Sequence, residues 1–600
     1  SKQLEAEGVE EIAIITDEIQ KYGDTGGFAK NSKVYDRKNI IDVQIELSKV
    51  NGTTVIIYDQ TCAAEKRRRR KKGILEEPKK KIFINKDLCE GCGDCGIQSN
   101  CVSIAPVETE YGRKRQIDQS SCNKDYTCVD GFCPSFVSLE GDISLKKNYD
   151  ETLINKINSK IEDPILPEIN KSYGIMVAGI GGTGVVTIGA VLATAAQIDG
   201  RGSGVLDMTG LAQKGGAVKS FLRIFEKPED VGAIRLSYGD TNLLLGFDLL
   251  VSNDLEIIKT LDKQISKLII NTDEVMPGDF TRDKDFYLPF EEMRNNLINI
   301  VGLENIKFIS SNKITSKILG NSILSNMFNV GVAYQSGLIP ISASSIEKAI
   351  ELNGASVKDN IDAFRFGRHY KNLKEEINSI IKDEPEILEG FDAKYQNRLK
   401  FLEDYQNTKY AQKYGDLVSY AKRIDKNVGN ESQFSTAVLK NYFKLMAYKD
   451  EYEVSRLMTN KKFVDDINKN FEGNFDYNFY LAPPIFSKKS KVDGKLIKIK
   501  FGGWLFNVFK LLSKFKFLRG TKFDPFGYLD ERKKERELIR DYKQTIVDIG
   551  SKINKSNYDT AVKIASIPDQ IRGFGHVKEK NIKEAIKNRT DLLNSFHENI

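Results

Sequence analysis

Histidine and tryptophan are scarce in this chain of 600 residues, which contains three histidines and one tryptophan. The scarcity of histidine argues against a zinc module of mixed Cys and His ligands and against catalysis by a histidine base. No uncharged apolar run reaches the roughly 18 residues of a transmembrane helix, and we expect no signal peptide. The net charge of +6 is too small for this length to imply nucleic acid. We therefore expect a cytoplasmic protein that binds neither a membrane nor nucleic acid.

The length is too great for one hydrophobic core, so we expect three or four domains. A hydrophobic content of 40% and a charged content of 29% are typical of a soluble globular protein. The sequence has no initiator Met, and it begins in the middle of a pattern of secondary-structure signals. We therefore expect it to be the later part of a longer protein.

Seven of the eight cysteines fall between Cys89 and Cys133. A secreted disulfide protein would spread its cysteines over the fold, whereas clustering in a large, lysine-rich chain indicates metal in a reducing compartment. Cys62 lies outside the cluster, and we interpret it as a buried or site-lining thiol.

Cys89, Cys92 and Cys95 form a C-x-x-C-x-x-C triplet, the spacing with which a loop wraps one face of an iron–sulfur cubane. The fourth ligand of such a cluster comes from a distance and precedes a proline, and in two-cluster bacterial ferredoxins it belongs to the other cluster. Cys133 is followed directly by Pro134. We therefore predict that Cys89, Cys92, Cys95 and Cys133 hold one [4Fe–4S] cluster.

The second ligand set is less regular. Cys101, Cys122 and Cys128 remain, and a regular triplet would place a cysteine where the sequence has Asp125. We predict that these three cysteines hold a second cluster, with Asp125 or a water at the fourth iron. Because a carboxylate is a harder and more labile ligand than a thiolate, this cluster could convert to a three-iron form. Zinc is the alternative, although three cysteines at two-residue gaps suit a cubane better than a tetrahedral ion.

The stretch "GIGGTG", residues 179–184, follows a predicted strand and opens a predicted helix. Its backbone N–H groups could cradle a phosphate at the helix N-terminus. A dinucleotide site would add an acidic residue about 20 residues further on, as Asp199 or the better-placed Asp207. NAD or flavin binding is therefore open, beside the simpler alternative of a tight strand–helix turn.

A second glycine-rich stretch, "MTGLAQKGGAV", follows the next strand. We expect it beside the first turn, at the carboxyl edge of the sheet, where ligands bind in open α/β folds. The candidate cofactor-binding residues of the two stretches are Gly179, Gly181, Gly182, Gly184, Gln213, Gly215 and Gly216.

Several other features have both a structural and a functional interpretation. The basic run "EKRRRRKKG" is a solvated or linker surface, or a docking surface for an acidic electron carrier or a phosphate-bearing ligand. The aromatic stretch 502–520 favours a core helix over a helix in a membrane interface. We expect Trp504 to pack in the core. His576 is interpreted as a structural histidine. Arg113 and Lys114 either tune a cluster potential or belong to the surface.

Six motifs occur in the order "YDQTCAAEKRRRRKKG", "CEGCGDCGIQSNC", "ETEYGRKRQIDQSSCN", "GFCPSFV", "AGIGGTGVV" and "LDMTGLAQKGGAV". Together they closely resemble the long, fused indolepyruvate ferredoxin oxidoreductases, members of the 2-oxoacid:acceptor oxidoreductases. The later segments "LAPPIF", "FGGWLF", "LRGTKFDPFGY" and "IRGFGHVKE" are similar to the C-terminal region of that family. The resemblance covers essentially the whole chain.

The resemblance implies an α/β multidomain fold. Its parts are the C-terminal part of a thiamine-diphosphate-binding α/β domain (1–78), a ferredoxin-like iron–sulfur domain (79–145), a Rossmann-like gamma-type α/β domain (170–360) and a mostly helical C-terminal domain (361–600). The gamma-type domain of this family does not bind nicotinamide, which disfavours an NAD site at the glycine turn.

The resemblance also implies an activity. Members of the family decarboxylate an aryl or branched 2-oxoacid on thiamine diphosphate with Mg²⁺. Two electrons leave singly through [4Fe–4S] clusters to ferredoxin, and coenzyme A takes the acyl group. We expect a homo-oligomer.

The core of the thiamine domains has no counterpart here. Gly23, Asp24 and Asn51 mimic a thiamine motif, but Asp24 precedes a loop rather than a helix. We therefore expect the missing N-terminal half, fused or separate, to hold the thiamine. Two alternatives are a stand-alone iron–sulfur electron-transfer or scaffold subunit, and an iron–sulfur NAD(P) or flavin oxidoreductase.

Overall fold

The computed structural model describes residues 1–23, 27–71, 73–146, 156–157, 159, 161–210, 216–381, 387–429, 432–483, 487 and 496–598. The chain forms two compact units, Ser1–Glu77 and Pro78–Ile600. Within the described ranges, none of the helices combines the length and the apolar character needed to cross a bilayer.

Strands and helices are mixed through the first half of the chain, and helices predominate after Ile309. The strands are β1 Glu11–Thr16, β2 Ser32–Asp36, β3 Thr54–Asp59, β4 Lys80–Ile84, β5 Ile104–Val107, β6 Lys114–Ile117, β7 Phe136–Leu145, β8 Tyr173–Ile180, β9 Gly202–Thr209, β10 Ala217–Phe225, β11 Leu243–Gly246, β12 Lys267–Asn271, β13 Ile306–Ile309, β14 Phe471–Leu481 and β15 Ile499–Phe501. The described α-helices up to residue 381 are Lys2–Ala6, Ile40–Leu47, Ala63–Lys71, Asp94–Ser99, Val185–Ile198, Leu249–Ser252, Leu255–Ile258, Phe290–Val301, Ser311–Ile318, Ser325–Gln335, Ala343–Asn353, Val357–His369 and Lys374–Ile381. The later ones are Phe391–Tyr405, Thr408–Val428, Gln433–Met446, Glu451–Thr459, Lys461–Asn470, Leu505–Leu512, Asp530–Gly550, Tyr558–Ser566 and Gly575–Glu598.

The first unit contains a parallel sheet in the order β2-β1-β3. Its central strand is an apolar run, as expected of a strand buried on both faces. Val43 and Leu47, one helical turn apart, pack against Ala13 and Ile15 of β1. The chain runs from β1 through β2 and the helix Ile40–Leu47 to β3, and Asn51 lies in the turn between the helix and β3. Asp24 lies outside the described residues.

The second unit contains a six-stranded sheet in the order β13-β12-β11-β8-β10-β9. Strands β8, β11, β12 and β13 are parallel, and β10 runs antiparallel to both of its neighbours. Apolar residues from helices pack on its two faces, which form two separate hydrophobic clusters. The described chain therefore forms a mixed α/β fold with the glycine turn at the end of the central strand β8.

The apolar composition of the stretch "LLLGFDLLVSND" predicts one buried strand. The structure instead divides this stretch into a strand and a helix. Strand β11 ends at Gly246, and a short helix begins at Leu249. The reason is Asp248, whose carboxylate accepts a hydrogen bond of 2.8 Å from the backbone N–H of Val251. An aspartate in this position caps a helix N-terminus and favours a helix start.

A four-stranded antiparallel sheet, in the order β15-β14-β7-β4, joins the cysteine region to the C-terminal region. Strand β14 pairs with β7 from Phe471 opposite Leu145 to Phe479 opposite Val137. The mostly helical end of the chain thus supplies two strands to the sheet that carries the cysteine loops.

The aromatic stretch 502–520 only partly follows its predicted core position. Leu505 and Phe509 of its helix are buried, but Trp504 is 61% exposed and Phe517 is 64% exposed. The prediction that Trp504 packs in the core is wrong, because it precedes the helix and lies beside Phe501 at the sheet edge.

Two glycines set the distance between the helices Ser325–Gln335 and Val357–His369. A Cβ atom on Gly331 would overlap the carbonyl oxygen of Phe364, and one on Gly367 would overlap the carbonyl oxygen of Phe328. The two backbones therefore touch at a crossing that only glycine permits.

We predict that Gly331→Ala destabilises the protein by about 2–3 kcal/mol, because the added methyl forces the helices apart and disturbs a packed core. Urea unfolding of the full chain measures this. Gly278→Ala is the control, since a Cβ there meets open space. Equal stability of the two variants would contradict the role given to the crossing.

Candidate metal centre

The loop that carries the first three cysteines leaves β4 and ends in the helix Asp94–Ser99. Asn85 fixes its start, because its side-chain oxygen accepts hydrogen bonds from the N–H groups of Asp87 and Leu88 at 3.1 and 3.3 Å. Gly91 and Gly93 have φ of 63° and 80°, a conformation that glycine adopts without strain. The glycines between the cysteines therefore let the loop curl tightly.

Four cysteines from two segments meet around this loop. Burial raises the pKa of Cys92 and Cys95, and the thiolates of Cys133 and Cys89 raise it further. Gly131 lies against Cys95, where a Cβ would come within 2.9 Å of the Cys95 Cα. The first cysteine set is therefore Cys89, Cys92, Cys95 and Cys133.

Three cysteines and one carboxylate form a second group. Burial raises the pKa of Cys128, and the nearby charges of Cys122, Cys101 and Asp125 raise it further. Asp125 is exposed, and its Oδ1 accepts hydrogen bonds from the N–H and hydroxyl of Thr127 at 3.3 and 3.2 Å. The second cysteine set is therefore Cys101, Cys122 and Cys128 with Asp125 beside it.

The backbone around the second cysteine set is strained. Asn100, Lys124 and Tyr126 have φ of 47°, 61° and 65°, a left-handed conformation that few non-glycine residues adopt. Asn100 directly precedes Cys101, and the other two flank Asp125. Such strain persists only where surrounding structure enforces it, and it concentrates at functional sites.

The structure thus brings together the same two sets that the spacing predicts. Among the described residues, no three His, Cys, Asp or Glu side chains converge as they would on a single metal ion. The ligands of a cubane do not converge in that way, since each thiolate binds a different iron. All eight cysteines are free thiols, and Cys62 is exposed, so the alternative that it is buried is wrong. The assignment of the two sets as cluster ligands stays a prediction.

A lysine from the C-terminal region holds the loop that ends at Cys133. The Nζ atom of Lys498 donates hydrogen bonds to the carbonyl oxygens of Val129, Gly131 and Cys133 at 2.7, 2.6 and 2.9 Å. Its three donors are all used within one turn of backbone. Lys498 therefore fixes the fourth member of the first cysteine set.

The C-terminal segment "RGFGH" also lies against this set. A Cβ on Gly573 would lie 3.4 Å from the Cβ of Cys92. The rings of Phe132 and His576 are in contact, with 4.6 Å between their centroids. The backbone N–H of Phe132 donates a hydrogen bond of 2.5 Å to the carboxylate of Asp94. His576 lies in the first turn of the helix Gly575–Glu598, and this contact agrees with a structural role.

Three consecutive basic residues lie near the cysteines. Arg113 donates to the carbonyl oxygen of Phe286 at 2.8 Å, and Arg115 lies over the ring of Phe280 at 4.3 Å. Lys114, between them, is only 8% exposed. The alternative that Lys114 belongs to the surface is wrong, because β6 turns its side chain into the interior.

The glycine turn after β8 has the predicted form. Gly182 and Gly184 have φ of 85° and 100°, and the helix begins at Val185. The N–H of Gly181 donates to the carbonyl oxygen of Gly216 at 2.7 Å, so the second glycine stretch returns to the first turn. Gly179 lies under the turn, where a Cβ would meet Val185 and Phe247. Gln213, Lys214 and Gly215 lie outside the described residues.

The sheet order differs from that of a dinucleotide fold. There, the strands on either side of the first helix are parallel neighbours. Here β10 runs between β8 and β9, so Asp207 at the end of β9 lies two strands away from the glycine turn. The carboxylate of Asp199 already accepts hydrogen bonds from the backbone N–H and the hydroxyl of Ser342, at 2.6 and 2.8 Å. Neither carboxylate therefore stands where a ribose contact requires it.

Sequence reasoning missed Lys498, Lys449 and Glu90. Lys449 pairs with Glu90 at 2.5 Å, directly between two cysteines of the first set. Glu90 is visible inside the motif, but nothing in its spacing marks it as buried. The two lysines lie far along the chain, and no local pattern links them to the cysteines.

Comparison with known proteins bears on two parts of the second unit. Residues 174–370 match the family of pyruvate ferredoxin/flavodoxin oxidoreductases, and residues 391–591 match a family of unknown function (DUF6537). The chain is similar to indolepyruvate oxidoreductase subunit IorB of Methanothermobacter thermautotrophicus, at 27% identity over 200 residues that cover 33% of this chain and 96% of the relative. Residues 174–370 are therefore assigned to a pyruvate ferredoxin/flavodoxin oxidoreductase domain, which we call the oxidoreductase domain. The chain is also similar to IorB of Pyrococcus horikoshii, at 28% identity over 212 residues that cover 35% of this chain and 99% of the relative.

Two solved structures are similar to part of this chain. One is pyruvate oxidoreductase subunit PORC of Thermotoga maritima, with 21% identity, a TM-score of 0.24, and coverage of 33% of this chain and 96% of that one. The other is 2-oxoglutarate:ferredoxin oxidoreductase of Magnetococcus marinus, with 16% identity and a TM-score of 0.24. The similarity covers 37% of this chain and 33% of that one.

We predict that Lys498→Met loosens the loop of residues 127–135, because three carbonyl oxygens lose a charged donor. The local cost is about 3 kcal/mol, which corresponds to roughly 100-fold faster exchange of the loop amides. Hydrogen exchange with mass spectrometry measures it.

Lys500→Met is the matched control for this experiment. Lys500 lies two residues away, is 46% exposed, and pairs within the described part of the chain with Glu140 at 2.6 Å. An exposed ion pair contributes less than about 1 kcal/mol, so the loop amides should keep their exchange rates. Unchanged exchange in Lys498→Met would show that the three hydrogen bonds do not stabilise the loop.

Proposed function

We propose that this chain is the electron-transferring portion of an indolepyruvate, or related 2-oxoacid, ferredoxin oxidoreductase. The observation that carries the proposal is the pair of cysteine sets, which are built into the same compact unit as the oxidoreductase domain. The IorB relatives support indolepyruvate as the substrate class. The enzyme acts on the oxo group of its donor and uses an iron–sulfur protein as acceptor.

The first cysteine set suits a [4Fe–4S] cluster. Its four thiols come from two segments, and neighbouring glycines leave space where a side chain would collide. Burial raises the pKa of Cys133, whereas the charge of Lys498 lowers it. Thiols with raised pKa give up their protons when a metal replaces them, so the site favours a bound cluster over free thiolates.

The second cysteine set suits a cluster with one weaker corner. Cys101, Cys122 and Cys128 supply three thiolates, and Asp125 supplies the fourth position. Its exposure also admits water there. A [4Fe–4S] cluster supplies a centre that takes up and releases one electron at a time. Two such centres fit a reaction that yields two electrons.

The surrounding side chains supply positive charge. The guanidinium of Arg115 lies within electrostatic reach of Cys89, Cys95 and Cys92, and donates to the carbonyl oxygen of Lys284 at 2.8 Å. A cation in this position stabilises the negative charge of thiolate ligands. The Lys284 contact links the first cysteine set to the oxidoreductase domain.

Other parts of the complete enzyme complement this chain. Thiamine diphosphate and Mg²⁺ are assigned to the N-terminal half or a separate thiamine-binding chain, where the 2-oxoacid is decarboxylated. Coenzyme A takes the acyl group, and ferredoxin takes the electrons. The glycine turn and the stretch 213–216 form the candidate site for a phosphate-bearing cofactor. We further propose a cytoplasmic homo-oligomer.

Iron analysis tests the two-cluster arrangement. After anaerobic reconstitution we expect about eight irons per chain, and about four in Cys101→Ser, because that variant lacks a ligand of the second set only. Cys62→Ser is the control, since this thiol is exposed and outside both sets. About four irons in the unmodified chain would reject the second cluster.

The same variants test the function. The reconstituted chain, combined with its thiamine-binding half, indolepyruvate and coenzyme A, should reduce ferredoxin. Cys101→Ser should still decarboxylate but lose electron delivery, whereas Cys62→Ser should retain both. Reduction by NADH without a 2-oxoacid would instead support the nucleotide alternative.

Asp125→Cys should protect the second cluster from losing iron, because a thiolate is a softer and tighter ligand than a carboxylate. Spectra of the oxidised protein during exposure to air measure the conversion to a three-iron form. Asp130→Cys, which places a thiol at another exposed position of the same loop, is the control. If Asp125→Cys and the control lose iron at the same rate, Asp125 does not face the open corner.

A further inference from the structure

The helix Leu505–Leu512 presents an apolar face to solvent. Spacings of four, three and four residues place its exposed large side chains on one side, with exposed fractions from 39% to 61%. The chain continues as a 3-10 helix over Ser513–Leu518, where a further phenylalanine is 64% exposed. We call these five side chains the apolar stripe: Trp504, Val508, Leu511, Phe515 and Phe517.

The other side of this helix already attaches it to the protein. Leu505 and Phe509 are buried and pack in one cluster with Phe479 of β14 and Leu139 of β7. The rings of Phe479 and Phe509 meet edge to face, with 5.2 Å between centroids. The apolar stripe faces away from this core. Contiguous apolar surface of this kind marks a site that binds a partner.

Positive charge accompanies the apolar stripe. Residues 501–523 contain five basic residues and no acidic one. Lys510 and Lys514, one helical turn apart, lie on the flank of the stripe and are exposed. Within the described ranges, neither lysine forms an ion pair, and Lys510 lies over the ring of Phe506 at 4.9 Å. A partner that complements this surface is therefore both apolar and anionic.

The apolar stripe and the cysteine sets lie on opposite faces of the four-stranded sheet, because neighbouring residues of a strand point to opposite faces. Phe479 packs in the cluster that contains the helix Leu505–Leu512, whereas Tyr480 packs in the cluster that contains Cys89 and Cys95. The sheet and the helix therefore stand between the stripe and these sulfur atoms. This separation disfavours an electron carrier as the partner of the stripe.

A second copy of the chain is also a poor partner. In a twofold-symmetric contact the same patch meets itself, which would bring the lysines of two stripes together. Like charges that meet at an interface oppose association. We propose that the apolar stripe binds the surface of an anionic lipid bilayer, where its side chains enter the boundary between headgroups and acyl chains.

This partner satisfies both features of the surface. Aromatic and aliphatic side chains on one side of a helix, flanked by lysines, are the pattern of helices that lie in a bilayer interface. Tryptophan is enriched at that depth, where its ring is apolar and its N–H reaches water. Lys510 and Lys514 would contact the anionic headgroups. For this one surface, the binding replaces the expectation that the chain does not bind a membrane.

Bilayer binding is separate from the proposed electron transfer and does not depend on it. A chain held by the apolar stripe turns the opposite face of the sheet, and with it the cysteine sets, away from the lipid. The cysteine region thus stays accessible to a partner in the aqueous phase.

Trp504 provides a direct test, because it is the only tryptophan of the chain. The full chain should show a blue shift of its tryptophan emission when vesicles with about 30% phosphatidylserine in phosphatidylcholine are added, and it should sediment with them. Vesicles of phosphatidylcholine alone should bind more weakly. Replacing both Lys510 and Lys514 by Gln should weaken binding to the anionic vesicles by about fivefold per lysine.

Leu511→Ser should weaken binding to the anionic vesicles at least about tenfold, because an apolar side chain no longer enters the bilayer. Leu303→Ser is the matched control, since Leu303 is 62% exposed and Leu511 is 59% exposed. Leu303 lies outside the stripe, so this variant should bind as the unmodified chain does. Both positions are on the surface, and neither substitution should change the Tm.

Three results would overturn the proposal. The first is that anionic vesicles neither shift the emission of Trp504 nor sediment with the chain. The second is equal binding of Leu511→Ser and Leu303→Ser. The third is that ferredoxin or self-association, rather than lipid, produces the change in emission, with Leu511→Ser abolishing that association in the absence of vesicles.

Discussion

The ammonium group of Lys498 is the point on which the cysteine region depends. Three carbonyl oxygens of one loop point at it, and without a cation they would repel one another in a buried space. The loop carries Cys133, the member of the first cysteine set that comes from outside the triplet. Because Lys498 directly precedes β15, its position follows from the sheet in which β14 and β15 extend the strands of the cysteine region.

Positive charge surrounds the sulfur atoms on several sides. Arg115 lies within the cysteine region and is held by the carbonyl oxygen of Lys284, and Lys498 and Lys449 approach from the C-terminal region. Each is held by backbone carbonyls or a carboxylate, so the cations are fixed before any negative charge arrives. Preorganised charge of this kind stabilises anionic ligands without the cost of reorganising solvent. The region matched to the family of unknown function thus contributes to the environment of the cysteines.

The sequence predicted local features well and distant contacts poorly. The two cysteine sets follow from spacing within short loops, and the β8–turn–helix unit follows from an apolar run and glycines that must adopt positive φ. Lys498 and Lys449 could not be found in this way, because their contacts depend on how distant segments of the chain pack together. The misplacement of Trp504 has a similar origin, since an aromatic run looks the same whether it faces the core or the sheet edge.

The pairing of Phe471 with Leu145 has a consequence for biosynthesis. A ribosome that has added the cysteine segment must still translate residues 146–470 before β14 emerges. During that interval the sulfur-bearing loops lack both their neighbouring strand and Lys498, and local contacts alone hold them. Completion of the cysteine region is therefore a late event in the synthesis of the chain, which separates the synthesis of its thiols from their enclosure.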